Sequence, residues 1–228
     1  MAIVSLCSCE DKSTDGTGNS VNLERDLVLH YTFNEGPSTS TVQTVADHSD
    51  KRINGVVSGN ADFVSDTPEG SGYALKLRKD DFLNIPIYPM TDSVNVSVSM
   101  WVKDFSQGWL LYASDGNDRA TPSVKINEND QVFYVAGRYN DNTFSPSMTA
   151  FQAGGWHHIV VASSDNQGKC MLYVDGVLLD TQNCNQSQVG GTKMQIGINA
   201  DPMTVDNVRV YKRCLNEKEV KELYNKKQ

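Results

Sequence analysis

Short apolar or alternating runs, each bounded by clusters of Gly, Asn, Asp or Pro, constrain the fold of this chain more than any other feature. Runs of this length and spacing are typical of strands in a two-sheet sandwich. They lie at residues 27–33, 56–58, 73–77, 82–85, 94–102, 109–113, 123–126, 132–136, 156–163, 169–174, 177–181, 192–198 and 204–211. Helical periodicity occurs only near the C-terminus. We therefore expect an all-β, antiparallel two-sheet sandwich with one short C-terminal helix.

The runs on either side of Asp175-Gly176 have the local chemistry of a hairpin, because this dipeptide adopts the positive φ angles that a type I′ turn requires. The hairpin brings Cys170 and Cys184 near each other. A regular two-residue turn leaves Cys184 three residues beyond the position opposite Cys170, so a disulfide needs a bulge or a frayed end. The sequence leaves this pairing open. A second hairpin is expected around the polar loop 127–131.

The C-terminal segment carries the signals of a capped helix. Asn216 and Glu219 have the spacing of a capping box, in which each side chain bonds the backbone N–H of the other residue. Leu215, Val220 and Leu223 then form a one-sided apolar stripe. We expect a short helix that packs on the sandwich.

Composition limits the classes of partner that the domain can bind. The chain has 228 residues, a formal net charge of -8 and a pI near 4.9. A net negative charge repels phosphate backbones, which excludes nucleic acid as an expected partner. No apolar stretch approaches the roughly 20 residues that span a bilayer. We predict one sandwich domain over residues 23–228, preceded by a leader remnant and flexible tether over residues 1–22.

The N-terminus is similar to a bacterial lipoprotein signal. Leu6-Cys7-Ser8-Cys9 resembles a lipobox, and Cys9 is then the lipidated residue. Glu10 and Asp11, directly after Cys9, resemble the surface-export signal of Bacteroidetes lipoproteins. We expect an exported outer-membrane lipoprotein, at the cell surface or in the periplasm, whose only membrane contact is its lipid anchor. The alternative is an apolar N-terminus in which Cys7 and Cys9 are incidental.

Five segments in order resemble the laminin G-like subgroup of the concanavalin A-like lectin/glucanase superfamily, over residues 26–224. They are residues 29–36 (Leu-His-Tyr-Thr-Phe-Asn-Glu-Gly), 45–55 (with Asp47 and Ser49), 96–102 (ending in Trp101-Val102), 156–161 with 172–176 (the Trp-His strand and the Tyr-Val-Asp-Gly hairpin), and 205–211 with Leu215 and Glu219. The resemblance implies a concanavalin A-like jelly roll with a concave face and a rim of loops that bind ligands.

The resemblance also implies the function that we expect, which is non-catalytic binding of a glycan or polysaccharide. The alternative is an adhesin-like or structural domain that binds another protein. A divergent glycoside hydrolase is the least favoured hypothesis. Glu128-Asn129-Asp130 begins the paired-carboxylate pattern of such enzymes, but the second Glu that the pattern requires does not follow. We therefore expect no enzyme activity.

Sugar binding uses aromatic rings for stacking and polar groups for hydroxyls. Two predicted loops have that composition, and the candidate ligand-binding residues are Arg138, Tyr139, Asn140, Asn142 and Phe144 in one and Asp115 and Asn117 in the other. The aromatic residues Trp101, Trp109, Tyr112 and Phe133 are expected in the core.

Calcium is the metal that the resemblance implies, as a structural ion between the first loop and the last strand. The candidate ligands are Asp47, Asn54 and Asp206, whose oxygen atoms suit a hard cation. The alternative is that Asp47 forms an Asx-turn and Asp206 a local hydrogen bond. His157 and His158 are not expected to share a metal ion, because neighbouring side chains of a strand point to opposite faces.

Overall fold

The computed structural model describes residues 21–90, 95–116, 119–127, 132–135, 141–144, 155–184 and 190–226. These residues form sixteen strands and one helix. In chain order they are β1 (Leu27–Tyr31), β2 (Thr44–Val45), β3 (Gly55–Ser58), β4 (Asp62–Val64), β5 (Ala74–Leu77), β6 (Phe82–Ile85), β7 (Val96–Lys103), β8 (Gly108–Ser114), β9 (Arg119–Ile126), β10 (Val132–Val135), β11 (Asp141–Thr143), β12 (His157–Ser164), β13 (Lys169–Val174), β14 (Val177–Asn183), β15 (Lys193–Ile196), β16 (Met203–Tyr211) and α1 (Glu217–Lys226).

The strands form two antiparallel sheets. Sheet A has the order β14-β13-β12-β7-β16-β5-β4, and β1 pairs with β16 beside β5. Sheet B has the order β11-β10-β9-β8-β15-β6-β3-β2. The predicted all-β sandwich with a short C-terminal helix is confirmed. Among the described residues, no helix is long and apolar enough to cross a membrane.

The main core lies between the two sheets and explains the alternation of the sequence. In β12, Ile159 and Val161 face the other sheet while Val160 and Ala162 belong to a second apolar cluster. In β15, Met194 and Ile196 face the main core on either side of Gln195. Because the side chains of a strand alternate with period two, one face of each sheet is fixed against the core.

Helix α1 covers the outer face of sheet A, the face that points away from sheet B. Val220 and Leu223 pack there against Met171 and Tyr173. The predicted capping box is present: the Asn216 N–H donates to Glu219 Oε2 at 2.9 Å, and the Glu219 N–H donates to Asn216 Oδ1 at 3.1 Å. The helix therefore starts where the sequence places it.

The hairpin of β13 and β14 has the predicted turn and contains a bulge. Asp175 and Gly176 have φ angles of 51° and 78°, and the bulge between Leu172 and Tyr173 shifts the pairing by one residue. Cys170 and Cys184, just after β14, form a disulfide with a Cα–Cα distance of 5.7 Å. The bulge is the irregularity that the disulfide between Cys170 and Cys184 requires.

Candidate functional site

Two aromatic side chains share the outer face of sheet B, the face that points away from sheet A. Trp109 and Tyr112 are both half-buried, and they lie three residues apart in β8. A regular strand puts such residues on opposite faces. In β8 a bulge inserts Leu110, so that Leu110 and Leu111 both enter the core while Trp109 and Tyr112 stay on the outer face. The expectation that both aromatic residues are core is therefore wrong.

The two rings contact each other and form what we call the aromatic pair. Their centroids lie 5.1 Å apart with an interplanar angle of 59°. Lys125 of β9 is opposite Trp109 in the pairing of β8 with β9, and its Nζ lies 5.7 Å from the centre of the Trp109 ring. This distance is in the range of a cation–π contact.

Amide side chains continue the same face beside the aromatic pair. Gln195 of β15 is paired with Tyr112 on one side and with Asn84 of β6 on the other. Gln195 is 6% exposed, and its Oε1 is buried with no hydrogen-bond partner among the described residues. The accessible part of the face thus combines aromatic surface, the half-buried amide of Asn84 and the ammonium groups of Lys125 and Lys193. These groups suit the apolar C–H faces and the hydroxyls of a sugar.

The structure places the predicted loop residues in different environments. Phe144 is fully buried in the main core, so its ring has no surface to offer a ligand, and its proposed stacking role is corrected. Asn142 lies in β11 opposite Tyr134. Asp115 is half-buried directly after β8. The remaining candidates lie outside the described residues, as do the Glu128-Asn129-Asp130 motif and Cys9; they are Asn117, Arg138, Tyr139 and Asn140.

Asp47 organises the loop between β2 and β3. Its Oδ1 accepts the backbone N–H groups of His30 and Ser49 at 2.9 Å each, and its Oδ2 accepts the Ser49 hydroxyl and the Ile53 N–H at 2.8 Å each. Asn54 Oδ1 accepts the N–H of Asp47 at 3.1 Å. A carboxylate offers about four acceptor positions, and all are used. Asp47 therefore does not fit as a calcium ligand, and the Asx-turn alternative describes it. The exposed Asn54 uses its Oδ1 to hold the backbone of Asp47.

Asp206 differs from Asp47 because one of its oxygens is unsatisfied. Its Oδ1 accepts the N–H of Asn207, while its Oδ2 is buried with no partner among the described residues. Asp206 is fully buried at a bulge of β16. Burial, and then the negative charge of Glu69, raise the pKa of Asp206 to about 8. A buried carboxylate that feels the charge of a second carboxylate favours a cation.

The described residues hold no group of three or more His, Cys, Asp or Glu side chains arranged for a metal ion. A cation at Asp206 would therefore need backbone or amide oxygens in addition to carboxylates, which calcium accepts readily. Of the two predicted carboxylate ligands, Asp206 is the one with an oxygen that has no hydrogen-bond partner among the described residues.

The adjacent histidines take separate roles. His157 Nδ1 lies 2.9 Å from Asp175 Oδ2. His158 Nε2 lies 2.8 Å from the Ser99 hydroxyl, and its ring packs against Trp101 and Tyr224. Because His158 is 1% exposed, the Ser99–His158 pair has no access to a substrate. The pair stabilises the fold beneath α1, and burial lowers the pKa of His158 to about 3.

Two proteins of known sequence are similar to nearly the whole chain. Paraclostridial mosquitocidal protein 1 of Paraclostridium bifermentans is 24% identical over 236 residues, which cover 98% of this chain and 17% of that protein. Adhesion G-protein coupled receptor V1 of Danio rerio is 25% identical over 217 residues, which cover 88% of this chain and 3% of the receptor. This chain spans less than a fifth of either relative.

Solved structures with the same fold include binding domains. The binding domain of botulinum neurotoxin DC in complex with SialylT has a TM-score of 0.68 at 16% identity, covering 90% of this chain and 52% of that chain. The same domain in complex with rat synaptotagmin II gives 0.67. Domain 4 of AbnA, a GH43 extracellular arabinanase from Geobacillus stearothermophilus, in complex with arabinotriose, gives 0.68 at 17% identity, covering 87% of this chain and 98% of that domain.

A laminin G family model, described as the concanavalin A-like lectin/glucanases superfamily, matches residues 77–221. This range is more than half of the chain, and it includes β8, β9 and β15, which carry the aromatic pair and its neighbours. The match agrees with the two-sheet fold, with the resemblance of the sequence and with the solved structures. The chain therefore belongs to the laminin G-type domains of the concanavalin A-like lectin/glucanases superfamily.

Proposed function

We propose that this domain is a non-catalytic carbohydrate-binding module, and that the outer face of sheet B is its glycan-binding surface. The half-exposed aromatic pair of Trp109 and Tyr112, flanked by Gln195 and Asn84, is the observation that carries the proposal. Two of the structural neighbours are complexes with sugars, SialylT and arabinotriose, which supports a glycan as ligand.

Removal of either ring of the aromatic pair is expected to weaken sugar binding strongly. The full chain is screened on a glycan array, and the Kd of the best ligand is measured for Trp109→Ala and Tyr112→Ala. Loss of a stacking ring from the centre of a site weakens binding by about tenfold or more. Trp156→Ala is the matched control, because this half-buried indole donates its N–H to Asp66 elsewhere, beside sheet A. Equal effects of Trp109→Ala and Trp156→Ala would count against the proposal.

A protein partner is the second candidate function. Val177 and Leu179 of β14, an edge strand of sheet A, are 60% and 38% exposed, and edge strands with apolar side chains favour strand pairing with a partner. One structural neighbour is a complex with a protein, rat synaptotagmin II. Two results together would favour this function. No glycan on the array binds the chain, and the chain captures a protein partner that the Val177→Lys variant no longer binds.

We propose that Asp206, with Glu69 beside it, holds a structural calcium ion. The unsatisfied Oδ2 of Asp206 supports this assignment, because a cation would replace the proton that burial favours. Calcium would supply charge compensation between the loop of Glu69 and β16. The carboxylates would supply part of the coordination, and the rest would come from neutral oxygens.

Calcium is expected to stabilise the domain through Asp206. Addition of calcium to the chelator-treated full chain should raise Tm by about 5 °C or more, because a bound ion stabilises only the folded state. Asp206→Asn should remove this increment. Asp47→Asn should lower Tm equally with and without calcium, because Asp47 bonds backbone N–H groups. A Tm that does not respond to calcium would contradict the assignment.

The cellular setting remains a proposal from the sequence: an exported lipoprotein, anchored through Cys9 at the cell surface or in the periplasm. The disulfide between Cys170 and Cys184 supports export, because such bonds persist in oxidising compartments. Incorporation of labelled fatty acid into the expressed protein, and its loss in Cys9→Ser, tests the anchor.

A further inference from the structure

The loop that joins β4 to β5, residues 65–73, carries Glu69 close enough to Asp206 for their charges to interact. Asp206 is fully buried, and its Oδ2 has no hydrogen-bond partner among the described residues. Two interacting carboxylates repel each other when both are ionised and no cation lies between them. Other bonds must therefore hold this loop in place before a cation binds.

Asp66 fixes the first part of the loop to two neighbouring strands. Its Oδ2 accepts a hydrogen bond from Lys103 Nζ of β7 at 2.5 Å, and its Oδ1 accepts the indole N–H of Trp156, directly before β12, at 3.0 Å. The Lys103 side chain is only 18% exposed, so its ammonium group has little freedom to leave Asp66. Because Asp66 lies three residues before Glu69, these bonds limit where the Glu69 carboxylate can lie.

Thr67 and Asn34 fix the rest of the loop. The buried Thr67 hydroxyl donates to the Ser71 carbonyl at 2.8 Å and accepts the Ser71 N–H at 2.9 Å. Beyond this turn, the Tyr73 N–H donates to Asn34 Oδ1 at 3.1 Å. Glu69 thus lies in a stretch of chain that is bonded on both sides of it.

We propose that Asp66, Lys103 and Thr67 are positioning residues of the calcium site, because they hold the loop that presents Glu69 to Asp206. This inference rests on the calcium ion proposed at Asp206. A loop that is already held in place needs little further ordering when an ion binds. The affinity for calcium should therefore depend on side chains that do not bind the ion themselves.

Lys103 separates a positioning role from a purely electrostatic one. Its positive charge opposes the binding of a cation nearby, so removal of that charge would tighten calcium binding if charge alone mattered. If Lys103 acts by holding Asp66, its removal releases the loop and weakens calcium binding. The two roles therefore predict opposite signs for the same substitution.

The test is the Kd for calcium, measured by titration calorimetry on the chelator-treated full chain. Lys103→Met and Thr67→Val should each raise this Kd about tenfold, an effect typical of groups that orient metal ligands. Asp62→Ala is the matched control, because it removes an exposed ion pair with Arg78, 2.6 Å long, on β4 just before the loop. It should change the Kd by about twofold or less, since solvent and salt screen an exposed charge.

The outcomes distinguish the positioning role from the calcium site itself. Wild-type binding that Asp206→Asn abolishes, with a Kd that is unchanged or lower in Lys103→Met, would overturn the positioning role and leave the calcium site standing. No calcium binding by the wild type would overturn both. If Thr67→Val does not fold, Lys103→Met decides the test by itself.

Discussion

Glu219→Ala is expected to lower the free energy of unfolding by about 3 kcal/mol or more, because it leaves a buried guanidinium without its counter-charge. Arg213 and Glu219 form an ion pair at 2.6 Å, and their side chains are only 5% and 8% exposed. Arg213 also donates to the backbone carbonyls of Asn22 and Arg25. The pair thus connects α1 to the segment that enters β1.

Glu222→Ala is the matched control, since Glu222 lies on the same helix and pairs with Lys226 at 3.6 Å on the exposed surface. An exposed pair of this kind contributes about 0.5 kcal/mol or less. The measurement is urea unfolding of both variants. Arg213→Met combined with Glu219→Leu should recover part of the loss, because no buried charge then stays unpaired. Equal losses in Glu219→Ala and Glu222→Ala would contradict the role of the buried pair.

The sequence predicted most of the fold because its strands are long enough to show alternation and its turns have specific chemistry. The Asp175-Gly176 turn and the capping box of Asn216 and Glu219 are local signals, and the structure contains both. The strands that the sequence did not show are the short β2, β4 and β11, such as the three-residue Asp62–Val64. Two or three residues with polar members carry no period, and only their partners define them.

The candidate site was harder to predict, because it depends on an irregularity. Alternation assigns Trp109 and Tyr112 to opposite faces, and the segment Trp-Leu-Leu-Tyr contains no Gly or Pro to indicate a bulge. The paired apolar residues Leu110 and Leu111 are the one available signal, since a regular strand with one solvated face would alternate there. Lys125 becomes part of the site only through the pairing of β8 with β9.

The proposed calcium ligands likewise depend on the three-dimensional structure. The sequence pointed to Asp206 by resemblance, and it also pointed to Asp47, whose oxygens the structure assigns to four hydrogen bonds. No local motif marks Glu69, which lies in a loop far along the chain from Asp206. Both aspartates are buried, and hydrogen-bond satisfaction, which cannot be read from the sequence, distinguishes them.

The domain is expected to lose stability as the pH falls below about 6.5, with His158 as a main cause. Burial, and then the charge of Arg209, lower the pKa of His158 to about 3. In the unfolded chain a histidine binds its proton near pH 6.5, so the unfolded state takes up protons first. The stability that the neutral imidazole contributes is complete above pH 6.5 and is lost as the pH falls from there towards 3. Between pH 6.5 and 4.5 this loss is about 2 to 3 kcal/mol.

The measurement is urea unfolding of the wild type and of His158→Gln at a series of pH values between 7.5 and 4.5. The variant should be less stable at neutral pH, because it disturbs the contacts with Ser99 and Trp101, but its stability should fall less steeply with acid.

His30 contributes with the same sign, because burial and the charge of Arg209 likewise lower its pKa to about 3. The pH dependence of stability should therefore become still weaker in the double variant His30→Gln, His158→Gln. His48→Gln removes a surface histidine that bonds Glu35 and serves as the control. If His158→Gln keeps the full acid sensitivity of the wild type, the buried imidazole is not its cause, and the loss must come from carboxylates that are protonated over the same range.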